Sequence, residues 1–273
     1  MKLCKITKEN AEEFAAFTDE ALLKDDPVIG AGCLDDDENP IGAAFLDSDG
    51  ERLIITSIFV DEGSRRKGAG SLMIEGILEM SEIAETSSVE AYFSGEDAES
   101  FYIKNGFLVA ESVPMYRIKV GDISGLRSFD KFIKKDGNTV SLKDLNRLSR
   151  QKFNKAMGEM GYLSRPDQYD PDFSFVYSDK EGNPKAFILT KVLKDEGIIR
   201  VEQLMNTDGD HPENAASVLI SGLNALKEAE FSSNTIIEFI SIDDRIFEFA
   251  SRISGGEENV IRCGSLLHAI KLT

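Results

Sequence analysis

Residues that build metal sites, disulfide frameworks and charge-relay triads are scarce in this sequence. Its 273 residues include no tryptophan, two histidines, His211 and His268, and three cysteines, Cys4, Cys33 and Cys263. An odd number of widely spaced cysteines excludes a disulfide framework and a cysteine-rich zinc site. Neither histidine has the spacing of a metal ligand. We therefore expect neither a bound metal nor a catalytic triad centred on histidine.

Long apolar runs and excess positive charge are also lacking. No window approaches the roughly 18 uninterrupted apolar residues of a membrane-spanning helix, and the opening MKLCKITKEN has no signal-peptide core. Acidic residues outnumber basic ones by 49 to 31, which gives a net charge of −18. A field of this sign repels nucleic acids and membrane surfaces and attracts cations. We expect a cytoplasmic protein with no nucleic-acid or membrane partner; its oligomeric state stays open.

The first 120 residues alternate between helix-like and strand-like stretches. Hydrophobic residues make up 41% of the chain and charged residues 29%, as in globular proteins, and the length fits one large domain or two modest ones. In chain order, we expect a capped helix over 10–24, strands over 27–34, 40–46 and 52–60, a helix over 70–85, a strand over 89–93, a helix over 98–104 and a strand over 113–120.

The second half of the chain repeats this order of elements. A helix is expected to open at Ser141, with Asp144 completing a capping box, and to run to residue 160. The acidic turn at 35–40 recurs at 179–184, and segment 70–78 recurs at 216–224. We therefore expect an α+β fold with two tandem domains, 1–120 and 141–273, joined by a connector over 121–140. The alternative is that any α+β chain gives so short a match by chance.

A basic loop, Arg65-Arg66-Lys67-Gly68-Ala69-Gly70, stands between the strand at 52–60 and the next helix. Glycines let the backbone come close to a ligand, and the first N–H groups of a helix have no partner within it. With the helix dipole and three cationic side chains, these groups favour a bound anion such as phosphate. The pattern is neither a P-loop nor a GxGxxG dinucleotide loop, and a solvated basic loop is the alternative.

Two motifs in this half resemble the GNAT acyltransferase superfamily. Its acyl-CoA loop, Arg/Gln-x-x-Gly-x-Gly/Ala, is matched by Arg65-x-x-Gly68-x-Gly70. A second signature, Ala-x-x-x-Tyr-x-x-x-Gly-Phe, is matched over 98–107 with Tyr102 at its centre. The resemblance covers 60–72 and 98–107, and it implies two GNAT-like domains, each a mixed, mostly antiparallel sheet flanked by helices.

The resemblance also implies an N-acetyltransferase that moves an acetyl group from acetyl-CoA to an amine acceptor, a small molecule or a peptide, for which the acidic charge favours a cation. The pantetheine would pair with Ile58 and Val60, the Ile58 N–H would stabilise the oxyanion, and Tyr102 would act as general acid. The residues implied in binding acyl-CoA are Ile58, Val60, Arg65, Arg66, Lys67, Gly68, Ala69, Gly70 and Ser71. The alternative function is a non-catalytic acyl-CoA-binding regulatory module.

The sequence departs from the family pattern at three positions. The strand at 52–60 contains no carboxylate, although members often have a glutamate there as general base. Water, a group on a neighbouring strand such as Glu90, or an amine that is already neutral must serve instead. Gly95 stands where an asparagine is common, and Glu62 replaces the usual proline.

The second half has diverged further. At the aligned positions the loop residues Arg65, Gly68 and Gly70 and the tyrosine Tyr102 are replaced, in that order, by His211, Asn214, Ala216 and Glu248. We expect neither the phosphate loop nor the phenol to survive there. This half then serves as a scaffold, as a wall of the acceptor pocket or as an internal pseudo-dimer partner.

Overall fold

The protein was analysed as a computed structural model, which describes residues 1–18, 28–124, 139–159, 168–229 and 231–273. The strands are β1 (Lys2–Ile6), β2 (Ile29–Leu34), β3 (Pro40–Ser48), β4 (Arg52–Val60), β5 (Ser88–Ser94), β6 (Leu108–Lys119), β7 (Thr139–Ser141), β8 (Phe175–Ser178), β9 (Pro184–Leu193), β10 (Ile198–Asn206), β11 (Ile236–Ile240) and β12 (Ile261–Leu272). The α-helices are α1 (Ala69–Ile83), α2 (Glu96–Lys104), α3 (Arg147–Glu159), α4 (Pro212–Glu228) and α5 (Asp244–Ser254). No helix in these segments is long and apolar enough to cross a membrane.

The chain forms two compact units. The first comprises Met1–Ser112 and Leu266–Thr273, and the second comprises Val113–Ser265. The strand order in the first is β1-β2-β3-β4-β5-β12, and the second repeats it as β7-β8-β9-β10-β11-β6. In each, the fourth and fifth strands are parallel and the other recorded pairs are antiparallel. The expected α+β class is confirmed.

The units differ from the predicted ranges at their last strands. We assigned 113–120 to the first half and the end of the chain to the second. In the structure, Leu266–Leu272 of β12 pairs with β5, whereas residues 115–119 of β6 pair with β11. The two halves have therefore exchanged these strands. Strand pairing uses backbone groups common to every residue, so the sequence pattern could not distinguish the two arrangements.

Two apolar cores position the first sheet. Helix α1 buries Met73 and Ile77 against Ile55 and Ala91. On the opposite face, Phe14 packs with other buried residues in a second core. The predicted helix over 10–24 is present in the described residues as a 3-10 helix, Ala11–Phe17, and residues 19–27 lie outside them.

Asn10, the first residue of that predicted capped helix, precedes the 3-10 helix but makes no capping hydrogen bond, because its side-chain oxygen accepts the Thr7 N–H at 2.8 Å.

The second unit preserves the repeated acidic turn. The Asp179 N–H donates to the Asn183 carbonyl at 3.0 Å, as the Asp35 N–H does to Asn39 at 2.9 Å. The predicted helix from Ser141 is wrong at its start, because residue 141 ends β7, where it pairs with Phe175. The helix α3 begins at Arg147; residues 125–138 and 160–167, which include most of the expected connector, lie outside the described segments.

Candidate functional site

The sheet of the first unit opens between its two parallel strands. Arg52–Ile55 pairs with Ser88–Ala91, and the recorded pairing of β4 with β5 ends there. At the same point the β3–β4 register shifts, which leaves Thr56 as the extra residue of a bulge. A bulge bends its strand and increases the local twist, so β4 turns away from β5. A gap between the strands follows from Thr56 onward.

Backbone groups of β4 line this gap. The Asp61 N–H donates to the Ile41 carbonyl at 2.8 Å, towards β3. Because polar groups of an antiparallel strand face alternate sides, Phe59 also faces β3, whereas Ile58 and Val60 face the gap. The Val60 carbonyl accepts a hydrogen bond from Arg65 Nε at 3.0 Å.

The basic loop follows directly. The Arg65 guanidinium lies 5.2 Å from the centroid of the Phe59 ring, which fixes this side chain along the strand. Arg66 and Lys67 are exposed, and Arg66 has a positive φ of 61°. That conformation is uncommon for a residue other than glycine, and it signals a tightly wound turn.

Helix α1 starts at the end of this loop. Gly68 has φ +99°, and its carbonyl accepts the Leu72 N–H at 2.9 Å, the first bond of the helix. A Cβ on Gly70 would lie 2.9 Å from Phe101 Cε2, so this glycine allows α2 to approach closely. Ala69 is buried, whereas Gly68 is exposed. The first N–H groups of α1 have no partner within the helix, and the turn at Gly68 that precedes them meets solvent.

Tyr102 of α2 lies in an aromatic cluster. Its ring stacks on Phe93 with centroids 4.5 Å apart and meets the edges of Phe101 and Phe107, each at 5.2 Å. The residue is 4% exposed, and burial raises the pKa of Tyr102 above its ordinary value. Its hydroxyl therefore stays protonated and keeps its proton available for donation.

A buried carboxylate lies on the neighbouring strand. Glu90 accepts hydrogen bonds from Arg52 Nη1 at 3.2 Å and from Ser88 Oγ at 3.2 Å, and it lies 2.9 Å from His268 Nε2. The His268 ring stacks on Tyr92 with centroids 4.4 Å apart. Val89 and Ala91 face the core under α1, so Glu90 and Tyr92 face the other side of the sheet. Glu90, the candidate general base on a neighbouring strand, thus has a histidine as hydrogen-bond partner.

Sequence reasoning missed His268. It belongs to β12, at the far end of the chain, and it reaches Glu90 only because the last strands are exchanged. No spacing in the sequence connects the two residues. On the same face of β4, the Ser57 Oγ is buried and has no hydrogen-bond partner within the described segments, a polar atom that a bound substrate could satisfy.

The second unit has a glutamate at the matching position. Glu238 of β11 pairs in register with Arg200, as Glu90 does with Ile54. It lies 2.6 Å from both Arg200 Nε and Arg117 Nη2. Burial raises the pKa of Glu238, but hydrogen bonds from the two arginines outweigh it and hold that pKa below its usual value. Two arginines thus contact Glu238, whereas one arginine, Arg52, and one histidine, His268, contact Glu90.

In the second unit, the segment aligned with the basic loop has a carboxylate, Glu213, in the first turn of α4. His211 Nδ1 lies 2.9 Å from Glu213 Oε1 in the first turn of α4. Glu248 is exposed and lies 3.6 Å from Arg252. The described residues contain no cluster of three or more metal-ligating side chains.

Comparison with known proteins finds similarity to GNAT acetyltransferases. Residues 30–109 match the family model "Acetyltransferase (GNAT) domain". A tandem GNAT protein from the clavulanic acid biosynthesis pathway superposes with a TM-score of 0.63 at 8% identity, over 99% of this chain and 98% of that one. The GCN5-related N-acetyltransferase from Sphaerobacter thermophilus has a TM-score of 0.53 at 11% identity, over 99% and 95%. The GCN5-related N-acetyltransferase from Anabaena variabilis has a TM-score of 0.56 at 14% identity, over 99% of this chain and 72% of that one.

No curated protein sequence matches the chain. The resemblance seen in the sequence agrees with these findings: residues 30–109 match the GNAT domain model, and the whole chain shares its fold with a tandem GNAT protein. This fold and domain support acyl transfer as the general type of reaction.

Proposed function

We propose that the first unit binds acetyl-CoA and transfers its acetyl group to an amine, with a cationic small molecule or peptide as acceptor. One observation carries the proposal: the free edge of β4 at Ile58 and Val60 runs directly into the glycine turn at the start of α1. An extended chain that pairs with this edge leads to the first N–H groups of α1 and to the exposed side chains of Arg66 and Lys67. Pantetheine and pyrophosphate are joined in that order within CoA.

The chain's own groups would divide the binding as follows. The N–H and carbonyl groups of Ile58 and Val60 pair with pantetheine, for which Arg65 must release the Val60 carbonyl or share it. The N–H groups from Arg66 to Ser71 hold the pyrophosphate, assisted by the Lys67 ammonium and the helix dipole. The close contact of Gly70 with Phe101 keeps α2, and with it Tyr102, beside this site.

Acetyl-CoA supplies an acetyl group activated as a thioester. The acceptor nitrogen forms a bond to the acetyl carbon, and the carbon–sulfur bond breaks. The Ile58 N–H faces the position where negative charge develops on the carbonyl oxygen. Tyr102 donates its proton to the sulfur as the carbon–sulfur bond breaks, and its raised pKa ensures that the hydroxyl carries this proton beforehand.

The proton lost by the amine goes to the pair formed by His268 and Glu90. Glu90 is in register with Ile54, four residues and about 13 Å along the strand from Ile58, so a chain of several waters must connect them. His268 is in register with Tyr92, two residues nearer the open end of the sheet. The contrast with Glu238 supports this role, because arginines cannot accept a proton whereas a neutral imidazole can.

The test uses the full chain. Thiol release from acetyl-CoA is measured over a panel of amines that includes polyamines, aminoglycosides and lysine peptides, alongside calorimetric titration with CoA. We expect one CoA per chain and turnover with at least one cationic amine. Binding without turnover on any amine would favour the regulatory module, and a stoichiometry of two would contradict the loss of the site from the second unit.

A further inference from the structure

The second unit contains an apolar cavity between α4, α5 and the sheet. Its volume is about 90 Å³, and every lining residue except Thr190 is apolar or glycine. The Thr190 hydroxyl lies 3.4 Å from Ser174 Oγ, so it already has a partner. Val201, where β10 parts from β11, lies in the wall. The cavity therefore occupies the place where this sheet opens.

Apolar side chains surround the entrance. Ile242 is 67% exposed, and Ile246 and Phe249 of α5 are half-buried although all three line the cavity. Exposed apolar side chains grouped at the mouth of an apolar cavity are typical of a ligand site.

Gly222 supplies a second, independent observation. It lies in the middle of α4 and lines the cavity, and a Cβ there would meet its nearest neighbours at 3.9 Å. Alanine would thus fit without strain, and it is the better helix former. At the aligned position in α1, a Cβ on Gly76 would lie 2.4 Å from Leu3 Cδ2, so packing explains that glycine. Packing does not explain Gly222. Its lack of a side chain leaves space in the cavity that a larger residue would fill.

We infer that the second unit binds a neutral molecule through an aliphatic chain inserted in this cavity. An empty cavity and a helical glycine both lower stability, and a bound chain restores the missing contacts. The charges near the entrance disfavour an acid. Ile242 is followed by Asp243 and Asp244, and Arg245 is already paired with Asp243. The carboxylate of Glu213 at the start of α4 likewise disfavours a phosphate.

The experiment titrates the full chain with n-alkanols from butanol to octanol and with the carboxylates of equal length, followed by calorimetry and thermal unfolding. We expect saturable alkanol binding with an optimum chain length, and carboxylate affinity at least tenfold weaker. An absence of saturable alkanol binding, or equal affinity for the carboxylates, would overturn the inference.

Three substitutions locate the ligand. Gly222→Leu fills the cavity and should weaken alkanol binding at least tenfold, whereas Asn224→Leu adds the same side chain at an exposed position of α4 and should leave it unchanged. Gly222→Ala, which meets no neighbour closer than 3.9 Å, tests the same point with a smaller, threefold loss should the leucine variant not fold. Wild-type affinity in a folded cavity-filling variant refutes the site. None of the three substitutions should change CoA affinity, so this outcome is separate from that of the proposed transferase.

Discussion

Valine at Gly68 tests the phosphate loop, with valine at Gly50 as a matched control. Both glycines have positive φ, +99° at Gly68 and +89° at Gly50, and a Cβ at either position would meet nothing within 4 Å. A side chain in this backbone region costs about 1–2 kcal/mol, and a β-branched one is a genuine outlier there. The two variants should therefore lose similar stability without a clash.

Only the Gly68 variant should lose affinity for CoA. If its turn relaxes, binding must restore the native conformation, and about 1–2 kcal/mol corresponds to a 5–30-fold rise in Kd. The new side chain would also stand where the pyrophosphate approaches the backbone. We expect at least a tenfold rise in Kd for Gly68→Val and no change for Gly50→Val.

Calorimetric titration with CoA at fixed ionic strength measures both affinities, because charge attraction at an exposed loop depends on salt. Thermal unfolding of each variant checks that the stability losses match. Wild-type affinity in a folded Gly68→Val would refute the loop assignment. An equal loss of affinity in Gly50→Val would show that general destabilisation, and not the loop, weakens binding.

Three further predictions concern turnover and packing. Tyr102→Phe should lower turnover about 100-fold, at the lower end of the general-acid range, and leave CoA affinity nearly unchanged; because burial raises the pKa of Tyr102, the wild-type rate should not fall with its ionisation at alkaline pH, and rate profiles of both proteins check this. His268→Gln should lower turnover, since a glutamine amide cannot accept the amine proton as an imidazole nitrogen can; wild-type turnover in the folded variant would exclude His268 as the base. In urea unfolding, Gly222→Ala should stabilise the second unit by about 1 kcal/mol, whereas Gly76→Ala should destabilise the first because of Leu3; shifts of equal sign would contradict the packing argument.

Local sequence patterns were enough to predict the main elements of the first half of the chain. The predicted strand over 52–60 coincides with β4, and the helix over 70–85 is α1, Ala69–Ile83, because alternation and helical period reflect which side chains are buried. The repeated acidic turns form the same backbone hydrogen bond, since aspartate and asparagine at fixed spacing favour that turn in either half. The basic loop was also visible in the sequence, because its glycines and cationic residues are next to one another, and phosphate binding there stays a prediction.

Tertiary structure alone decided which distant groups meet. Glu90 and His268 are far apart in the sequence, and they touch because β12 pairs with β5 through backbone groups that carry no residue identity. The aligned glycines at 76 and 222 look equivalent in the sequence. Leu3 packs tightly against one, and open space adjoins the other. Local patterns report the burial of single elements, whereas strand exchange and cavities depend on how separate elements pack.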